Sequence, residues 1–308
     1  MVSINTHKVA AIFLKYQQEI DQYHKNAYKK LLQFKKTNRL KNSANKFLVK
    51  IIFQFSNRNF FTVDNREYDN LVKEIGAVPK LKKKFYGKQK QTYLKDEILN
   101  ILNYKARRGD FFPKCFQILE IKSCVYCNSQ LTISVEKEDS GISAKFQLDH
   151  YYPKDQYPYL SVALLNLYPV CAACNLSKSN NIVNFILYDD NFSNNFKFEI
   201  DKKTLSDFIL DRKTDVIVNF KGDELFEKQF NINAIYKTQS DITEELITKS
   251  LIYSASYRRK LIENFSINKI NDSLINRFIL GNYSEPNEVH KRPMAKFMQD
   301  IGRDIGLV

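Results

Sequence analysis

The chain has 308 residues, 44% of them hydrophobic, and a formal net charge of +14. That length suits two or three domains, and that apolar content supports a real core. No apolar run approaches the ~18 residues that a membrane span needs, which excludes a transmembrane helix.

The N-terminus shows no pattern of a secretory signal peptide. Its apolar run, Val9 to Leu14, ends at Lys15 and lacks a small-residue cleavage site. We therefore expect a cytoplasmic protein that has no membrane association.

The excess positive charge is confined to the N-terminal third. Residues 1–110 carry 24 Lys and Arg against 9 Asp and Glu, whereas residues 111–308 carry 24 against 25. Such asymmetry indicates a polyanionic partner, most often nucleic acid. A basic helical surface that only keeps the protein soluble would give the same numbers.

The hydrophobic pattern of residues 1–110 is typical of helices. Apolar residues recur at three- and four-residue steps over 8–37, and the same period predicts helices over 43–56, 66–76 and 91–107. Asp64 or Asn65 would cap the third helix. The sequence thus predicts a basic, all-helical domain over 1–110.

A lysine run lies at residues 80–90 (KLKKKFYGKQK), with six lysines in eleven residues. Lysines neutralise phosphates without reading sequence, so this run is a candidate for binding a nucleic-acid backbone. Phe85 and Tyr86 could stack on unpaired bases or anchor the loop in the core. The predicted nucleic-acid contacts in this third of the chain are Lys82, Lys83, Lys84, Lys88, Arg107 and Arg108.

Strand signals begin after residue 111. Segments 131–136 and 143–150 alternate as strands do, and Asp139, Ser140 and Gly141 between them are turn formers. The region 111–190 is therefore predicted to hold strands.

Residues 191–308 have a mixed pattern. Segments 196–200 and 216–220 are strand-like, whereas 241–264, 267–280 and 287–304 favour helices. His290 is predicted to be a surface residue before the last helix. Together the three regions, 1–110, 111–190 and 191–308, predict an α+β architecture.

Four of the five cysteines form two C-x-x-C pairs. Cys124 and Cys127 make the first pair, and Cys171 and Cys174 make the second. In a cytoplasmic chain such pairs indicate a metal site, and four thiolates suit tetrahedral Zn²⁺. A dithiol redox pair or unrelated buried cysteines remain alternatives. A closed four-cysteine site leaves no position for water, so this zinc is predicted to be structural, with Cys115 as a core residue.

Four polar residues lie in and just after this cysteine frame. Asp149 and His150 end the second predicted strand, Asn166 precedes an apolar strand, and Asn175 follows the last cysteine. In this order they resemble the zinc-bound branch of the HNH nucleases, the ββα-metal or His-metal finger family. The likeness covers less than a fifth of the chain. It implies a zinc-braced, treble-clef-like ββα-metal nuclease core over 111–190, flanked by mostly helical regions.

The resemblance also implies a metal-dependent endonuclease. His150 would activate water as a general base. Asp149 and Asn175 would hold a divalent cation such as Mg²⁺, and Asn166 would brace the loop between the strands. Lys178 is predicted to reach a phosphate from the helix. Asn175 departs from the histidine that gives the family its final letter, a substitution that many members share.

Each of these polar residues also has a plainer interpretation. An Asp-His pair can be a surface accident, Asn166 a turn residue, and Asn175 a helix cap. The main alternative function is a zinc-stabilised nucleic-acid-binding module without catalysis. Large HNH proteins with helical flanks also resemble effectors of bacterial anti-phage defence, often found beside an ATPase. DNA is the favoured substrate, and RNA is the alternative.

Overall fold

The computed structural model describes residues 1–138, 141–189, 196–212, 214–266 and 271–308. These residues form fifteen α-helices and eight short strands, and the strands pair as four separate two-stranded antiparallel sheets. The α+β prediction is thus confirmed as a mixture of helices and small sheets. None of the described helices is both long and apolar enough to cross a membrane.

The first 110 residues are mainly helical. Each longer helix buries one apolar face, as its three- and four-residue spacing predicts, and Leu31 and Leu48 are fully buried where the second and third helices pack together. The elements are α1 (Thr6–Lys15), α2 (Gln17–Asn38), α3 (Asn42–Asn57), α4 (Tyr68–Ile75), β1 (Lys82–Lys83), β2 (Thr92–Tyr93), α5 (Leu94–Ile101) and α6 (Tyr104–Gly109).

Two of the predicted helices are each divided in two. The helix predicted over 8–37 breaks at Tyr16 (φ −110°, ψ 18°), whose ring packs edge-on against Phe111 with 5.5 Å between centroids. The helix predicted over 91–107 begins at Leu94 and breaks at Asn103, which is left-handed (φ 54°). Asparagine tolerates that conformation. The apolar period continues through both breaks, so it could not show them.

The central region contains the hairpin that positions the candidate site. One strand of that hairpin is followed directly by a short helix, and a second, separate hairpin lies before it. The elements are α7 (Phe111–Ile118), β3 (Ile133–Lys137), β4 (Gly141–Lys145), β5 (Gln147–His150), β6 (Leu167–Val170) and α8 (Ala172–Lys178), with β3 paired to β4 and β5 paired to β6.

The strand predicted over 143–150 is two strands with different partners. The chain bends at Phe146, whose ring packs edge-on against Phe116 with 5.6 Å between centroids. Alternation of apolar residues gives a strand but not its partner: residues 141–145 pair with β3, whereas residues 147–150 pair with β6. Of the predicted turn, Asp139 and Ser140 lie outside the described residues, and Gly141 has the positive φ (77°) that favours glycine.

Residues 196–308 pack against the cysteine-bearing segment through aromatic side chains. Tyr126 stacks on Phe230 with 4.5 Å between centroids and packs edge-on against Phe226 at 6.1 Å. The elements are β7 (Lys197–Ile200), α9 (Lys202–Leu210), β8 (Val218–Lys221), α10 (Glu224–Phe230), α11 (Ile232–Lys237), α12 (Ser240–Ile252), α13 (Ala255–Ser266), α14 (Asp272–Leu280) and α15 (Ala295–Asp304).

The helical predictions for this region are right in type and wrong in extent. The segment 241–264 is divided at Tyr253 (φ −90°, ψ 64°), and 287–304 is a short 3-10 helix (Pro286–Lys291) followed by α15. Residues 267–270 of the segment 267–280 lie outside the described residues. The remainder is α14, which the Asn271 side chain caps by accepting from the amide of Leu274.

His290 is buried, which corrects the prediction of a surface residue. Its 3-10 helix lies against the first cysteine pair, and its backbone carbonyl accepts from the amides of Lys122 (2.8 Å) and Ser123 (3.2 Å). Neither ring nitrogen has a well-formed hydrogen bond within the described chain. Burial lowers the pKa of His290 to about 3, and nearby lysines shift it the same way.

This histidine should make the protein sensitive to acid. The folded-state pKa of about 3 lies below the ordinary 6.5, so the unfolded chain binds more protons between these values. Stability therefore falls as the pH drops from about 6.5 toward 3. Between pH 7 and pH 5, wild type should lose up to about 2 kcal/mol more free energy of unfolding than His290→Gln. Urea titrations at both pH values measure this. Exposed His7 offers the matched control, His7→Gln, and equal losses in wild type and His290→Gln would contradict the expectation.

Candidate metal centre and adjoining polar site

The two cysteine pairs meet at one point. The Sγ atoms of Cys124, Cys127, Cys171 and Cys174 all lie within 4.8 Å of one another. Tetrahedral zinc with Zn–S bonds near 2.3 Å has its sulfurs about 3.8 Å apart, and the Cys127 and Cys171 sulfurs are 4.0 Å apart. This four-cysteine cluster can hold a metal ion such as zinc, as predicted. Cys115 is buried in the core and is not part of the cluster.

Each pair presents its sulfurs from one local turn. The Cys124 amide donates to the carbonyl of Gln130, and the Asn128 amide donates to the carbonyl of Cys124, both at 2.8 Å. Asn128 is left-handed (φ 55°), which closes this turn. Cys171 is the N-terminal cap residue of α8, so Cys174 lies in its first turn. The spacing C-x-x-C is what such turns require.

Residues of the C-terminal region form hydrogen bonds with the turn that holds the first cysteine pair. The Asn128 side chain donates to the carbonyl of Val289 (3.0 Å) and accepts from the amide of Lys296 (2.9 Å). The Tyr236 hydroxyl donates to the carbonyl of Cys127 at 2.7 Å. Sequence reasoning missed Asn128 and Tyr236, because their partners lie 109 to 168 positions away and leave no local pattern.

Asp149 and His150 project to opposite faces of the β5–β6 hairpin, as neighbours in a strand do. Asp149 contacts Tyr126 and Lys178, whereas the His150 ring lies 5.3 Å from the ring of Tyr104 between centroids. The Asp149 side chain therefore lies on the face of the strand toward α8, and the His150 ring lies on the face toward α6.

Asp149 belongs to a buried ion pair. The Lys178 Nζ lies 3.0 Å from Oδ2 and 3.3 Å from Oδ1, and it also donates to the His150 carbonyl at 2.9 Å. The Tyr126 hydroxyl donates to Oδ2 at 2.6 Å. Burial lowers the pKa of Lys178, although the Asp149 carboxylate opposes that shift. Because Lys178 is 0% exposed, its predicted role as a surface phosphate contact does not fit this structure.

His150 is a buried, neutral imidazole. Only 2% of the residue is exposed. Burial lowers the pKa of His150 well below its usual value, and the charge of Lys154 adds to this, while a hydrogen bond to the backbone of Ser161 opposes it. The Nε2 atom has no hydrogen-bond partner in the part of the chain that the structure describes. The His150 ring is thus neutral near physiological pH, and its Nε2 has no hydrogen-bond partner among the described residues.

Asn166 holds the loop that connects β5 to β6. Its Oδ1 accepts from the amide of Tyr152 (2.8 Å), and its Nδ2 donates to the carbonyls of Tyr152 (3.2 Å) and Leu160 (3.0 Å). Its backbone carbonyl accepts from the amide of Tyr151 at 3.0 Å. These bonds fix the two residues after His150, which is the bracing position predicted for this side chain.

Asn175 is bonded to a side chain other than Asp149. Its Nδ2 donates to Oε1 of Gln147, which lies two residues before Asp149 on the same strand face. Such positions are about 6.6 Å apart along a strand, and the α8 side chain that contacts Asp149 is Lys178. The Asp149 carboxylate is therefore paired with Lys178, and the amide nitrogen of Asn175 is bonded to Gln147. Their donor types, a carboxylate and an amide oxygen, still suit a hard divalent cation.

The lysine run 80–90 is only partly free to bind a partner. Lys83 donates to the carbonyl of Asn38 at 3.1 Å, and the Lys88 Nζ lies 3.3 Å from a carboxylate oxygen of Glu97. The remaining members of the run are exposed: Lys80, Lys82, Lys84 and Lys90.

Of the aromatic and arginine residues near this run, some are packed against the protein and others are exposed to solvent. Phe85 is buried and anchors the loop, whereas Tyr86 is 77% exposed. Arg107 stacks on Tyr23, with its guanidinium carbon 3.0 Å from the ring centroid. Arg108 is exposed, and its charge is one of those that lower the pKa of His150.

No family model matches this chain, and neither a curated protein nor a solved structure matches it.

Proposed function

We propose that this protein is an endonuclease that hydrolyses phosphodiester bonds of nucleic acid at His150. The observation that carries the proposal is the buried imidazole of His150 with an unpaired Nε2, at the end of the β5–β6 hairpin that leads directly into α8 and the four-cysteine cluster. A neutral imidazole can accept a proton from water near physiological pH.

The surroundings of His150 support the role of general base. Nε2 is the ring nitrogen without a partner among the described residues, and the Ser161 backbone lies close to the ring. A proton held on Nδ1 by that backbone would leave Nε2 as the acceptor. Arg108 and Lys154 supply positive charge close to the ring, which favours a phosphate there. The ring is 2% exposed and lies against Tyr104, so a substrate can reach it only if the side chains around it move.

The proposed endonuclease would use a divalent cation as its cofactor. Asp149 and Asn175 would hold it, and Mg²⁺ suits a carboxylate, an amide oxygen and several waters. When bound, the cation would stabilise the negative charge that develops on the phosphate.

The partner proposed for the basic N-terminal region is nucleic acid, with DNA favoured over RNA. A regulatory protein such as an ATPase, and a place in anti-phage defence, rest on the resemblance to HNH effectors alone. The burial of His150 favours a second candidate, a zinc-stabilised nucleic-acid-binding module without catalysis.

Exposed lysines of the run 80–90 should contribute to backbone binding. The double variant Lys82→Gln/Lys84→Gln should bind DNA more weakly, and the slope of log K against log salt should shrink by up to about 2, one unit per lost phosphate contact. Fluorescence anisotropy at several salt concentrations measures this. Lys203→Gln/Lys221→Gln removes two exposed lysines outside the basic region and serves as the matched control. Equal slopes in all three proteins would rule out the run as the contact.

The direct test of the proposed function is to incubate the zinc-loaded protein with supercoiled plasmid, single-stranded DNA and tRNA, each in Mg²⁺ and in EDTA. Mg²⁺-dependent cuts in one of these would support the endonuclease and name its substrate class. Salt-sensitive binding without any cut would favour the binding module.

A further inference from the structure

We infer that Lys178 and a divalent cation compete for the carboxylate of Asp149, so that cation binding requires release of the Lys178 ammonium. The inference rests on the cation site proposed above and concerns how that site is controlled.

The geometry leaves Asp149 without a free oxygen. The Lys178 Nζ lies 3.0 and 3.3 Å from the two carboxylate oxygens, and the Tyr126 hydroxyl occupies Oδ2 in addition. A bound Mg²⁺ would need an oxygen at about 2.1 Å. The ammonium now fills the space beside the carboxylate that an incoming cation would approach.

Charge gives the same conclusion. Asp149 contributes one negative charge and Asn175 contributes none, so a divalent cation alone leaves a net charge of about +1, whereas a divalent cation together with the Lys178 ammonium leaves about +2. Like charges a few ångströms apart repel strongly in a buried site that water screens poorly. Simultaneous binding is therefore unfavourable, and the two cations exclude each other.

The lysine is also placed so that it can leave. Lys178 is the last residue of α8, and Ser179 after it has a positive φ (51°, with ψ −124°) and ends the helix. The side chain is a flexible four-carbon stem, and its third bond, to the His150 carbonyl at 2.9 Å, is to the backbone of the proposed base. Release of Lys178 would thus free Asp149 and loosen a contact to His150 in one step.

The test measures cation affinity in the zinc-loaded full chain. Mn²⁺ is the probe, because it takes oxygen ligands as Mg²⁺ does and its free form is counted by electron paramagnetic resonance. Lys178→Met removes the competing charge and should lower the Kd for Mn²⁺ by at least about tenfold. Lys178→Arg keeps the charge and should bind as wild type does. Asp149→Asn should bind more weakly than wild type.

Lys178→Met leaves a buried carboxylate without its partner, so folding must be checked. A variant is compared with wild type only if it retains zinc and has the circular dichroism spectrum of the wild-type protein. Lys178→Gln, which can still donate to Asp149, is measured beside it and should shift affinity in the same direction.

Two outcomes overturn the inference and separate it from the proposed site. If the neutral Lys178 variants bind Mn²⁺ no more tightly than wild type while Asp149→Asn loses binding, competition is wrong and the cation site stands. If Asp149→Asn leaves Mn²⁺ binding unchanged, both competition and the cation site are wrong. Nucleic-acid cleavage is assayed separately, so neither result depends on it.

Discussion

Removal of zinc from the four-cysteine cluster should unfold the central hairpin. Structural zinc sites contribute an apparent binding free energy of about 10–16 kcal/mol at neutral pH, whereas whole domains are stable by only about 5–15 kcal/mol. The cluster joins the turn before β3 to the start of α8, which follows β6. Without it, few local bonds hold the two turns together. The expected stoichiometry is one zinc per chain.

Cys171→Ser is the variant that tests this expectation. It should lose zinc and show no cooperative unfolding of the central region by circular dichroism, with fast amide exchange over β5 and β6. Cys115→Ser is the matched control, because that thiol is buried away from the cluster, and it should keep zinc. A zinc-free Cys171→Ser that unfolds at the wild-type temperature would contradict the structural role.

Loss of Asp149 should be strongly destabilising. Asp149→Ala leaves the Lys178 ammonium buried at 0% exposure without its carboxylate. Breaking a buried pair in this way costs about 3–5 kcal/mol, whereas replacing both partners by apolar groups is often nearly neutral. The double variant Asp149→Ala/Lys178→Met should therefore be more stable than Asp149→Ala alone. Urea unfolding of the zinc-loaded proteins measures both.

An exposed ion pair provides the comparison. Lys114 and Asp110 are 2.7 Å apart with both side chains partly in water. Asp110→Ala should change the free energy of unfolding by no more than about 1 kcal/mol. If the Asp149→Ala and Lys178→Met effects simply add in the double variant, the two side chains do not stabilise each other as described.

The cysteine cluster could be predicted from the sequence because each C-x-x-C pair lies in one local turn. The positions of Asp149 and His150 on opposite faces followed from strand alternation in the same way. By contrast, the pairing of β5 with β6 depends on residues about 20 positions apart. Alternation in 143–150 could not choose between that partner and β3.

Two side chains were misplaced for the same physical reason. Lys178 is buried by Asp149, 29 positions away, and His290 by the cysteine turn, 167 positions from Ser123. A charged residue at a helix end and a histidine before a helix are usually exposed. Lys178 and His290 are buried only because of contacts with residues far away in the sequence. No spacing pattern in the sequence predicts such contacts.

The measurement that tests the central claim most directly is the cleavage rate of wild type and His150→Ala on the same nucleic acid, with equal zinc content. General-base catalysis contributes about 10²- to 10⁴-fold, so the rate should fall by that factor in His150→Ala, while His7→Ala should cut as wild type does. Cleavage by His150→Ala at the wild-type rate, or no cleavage by wild type that binds nucleic acid, would contradict the assignment of His150 as the catalytic base.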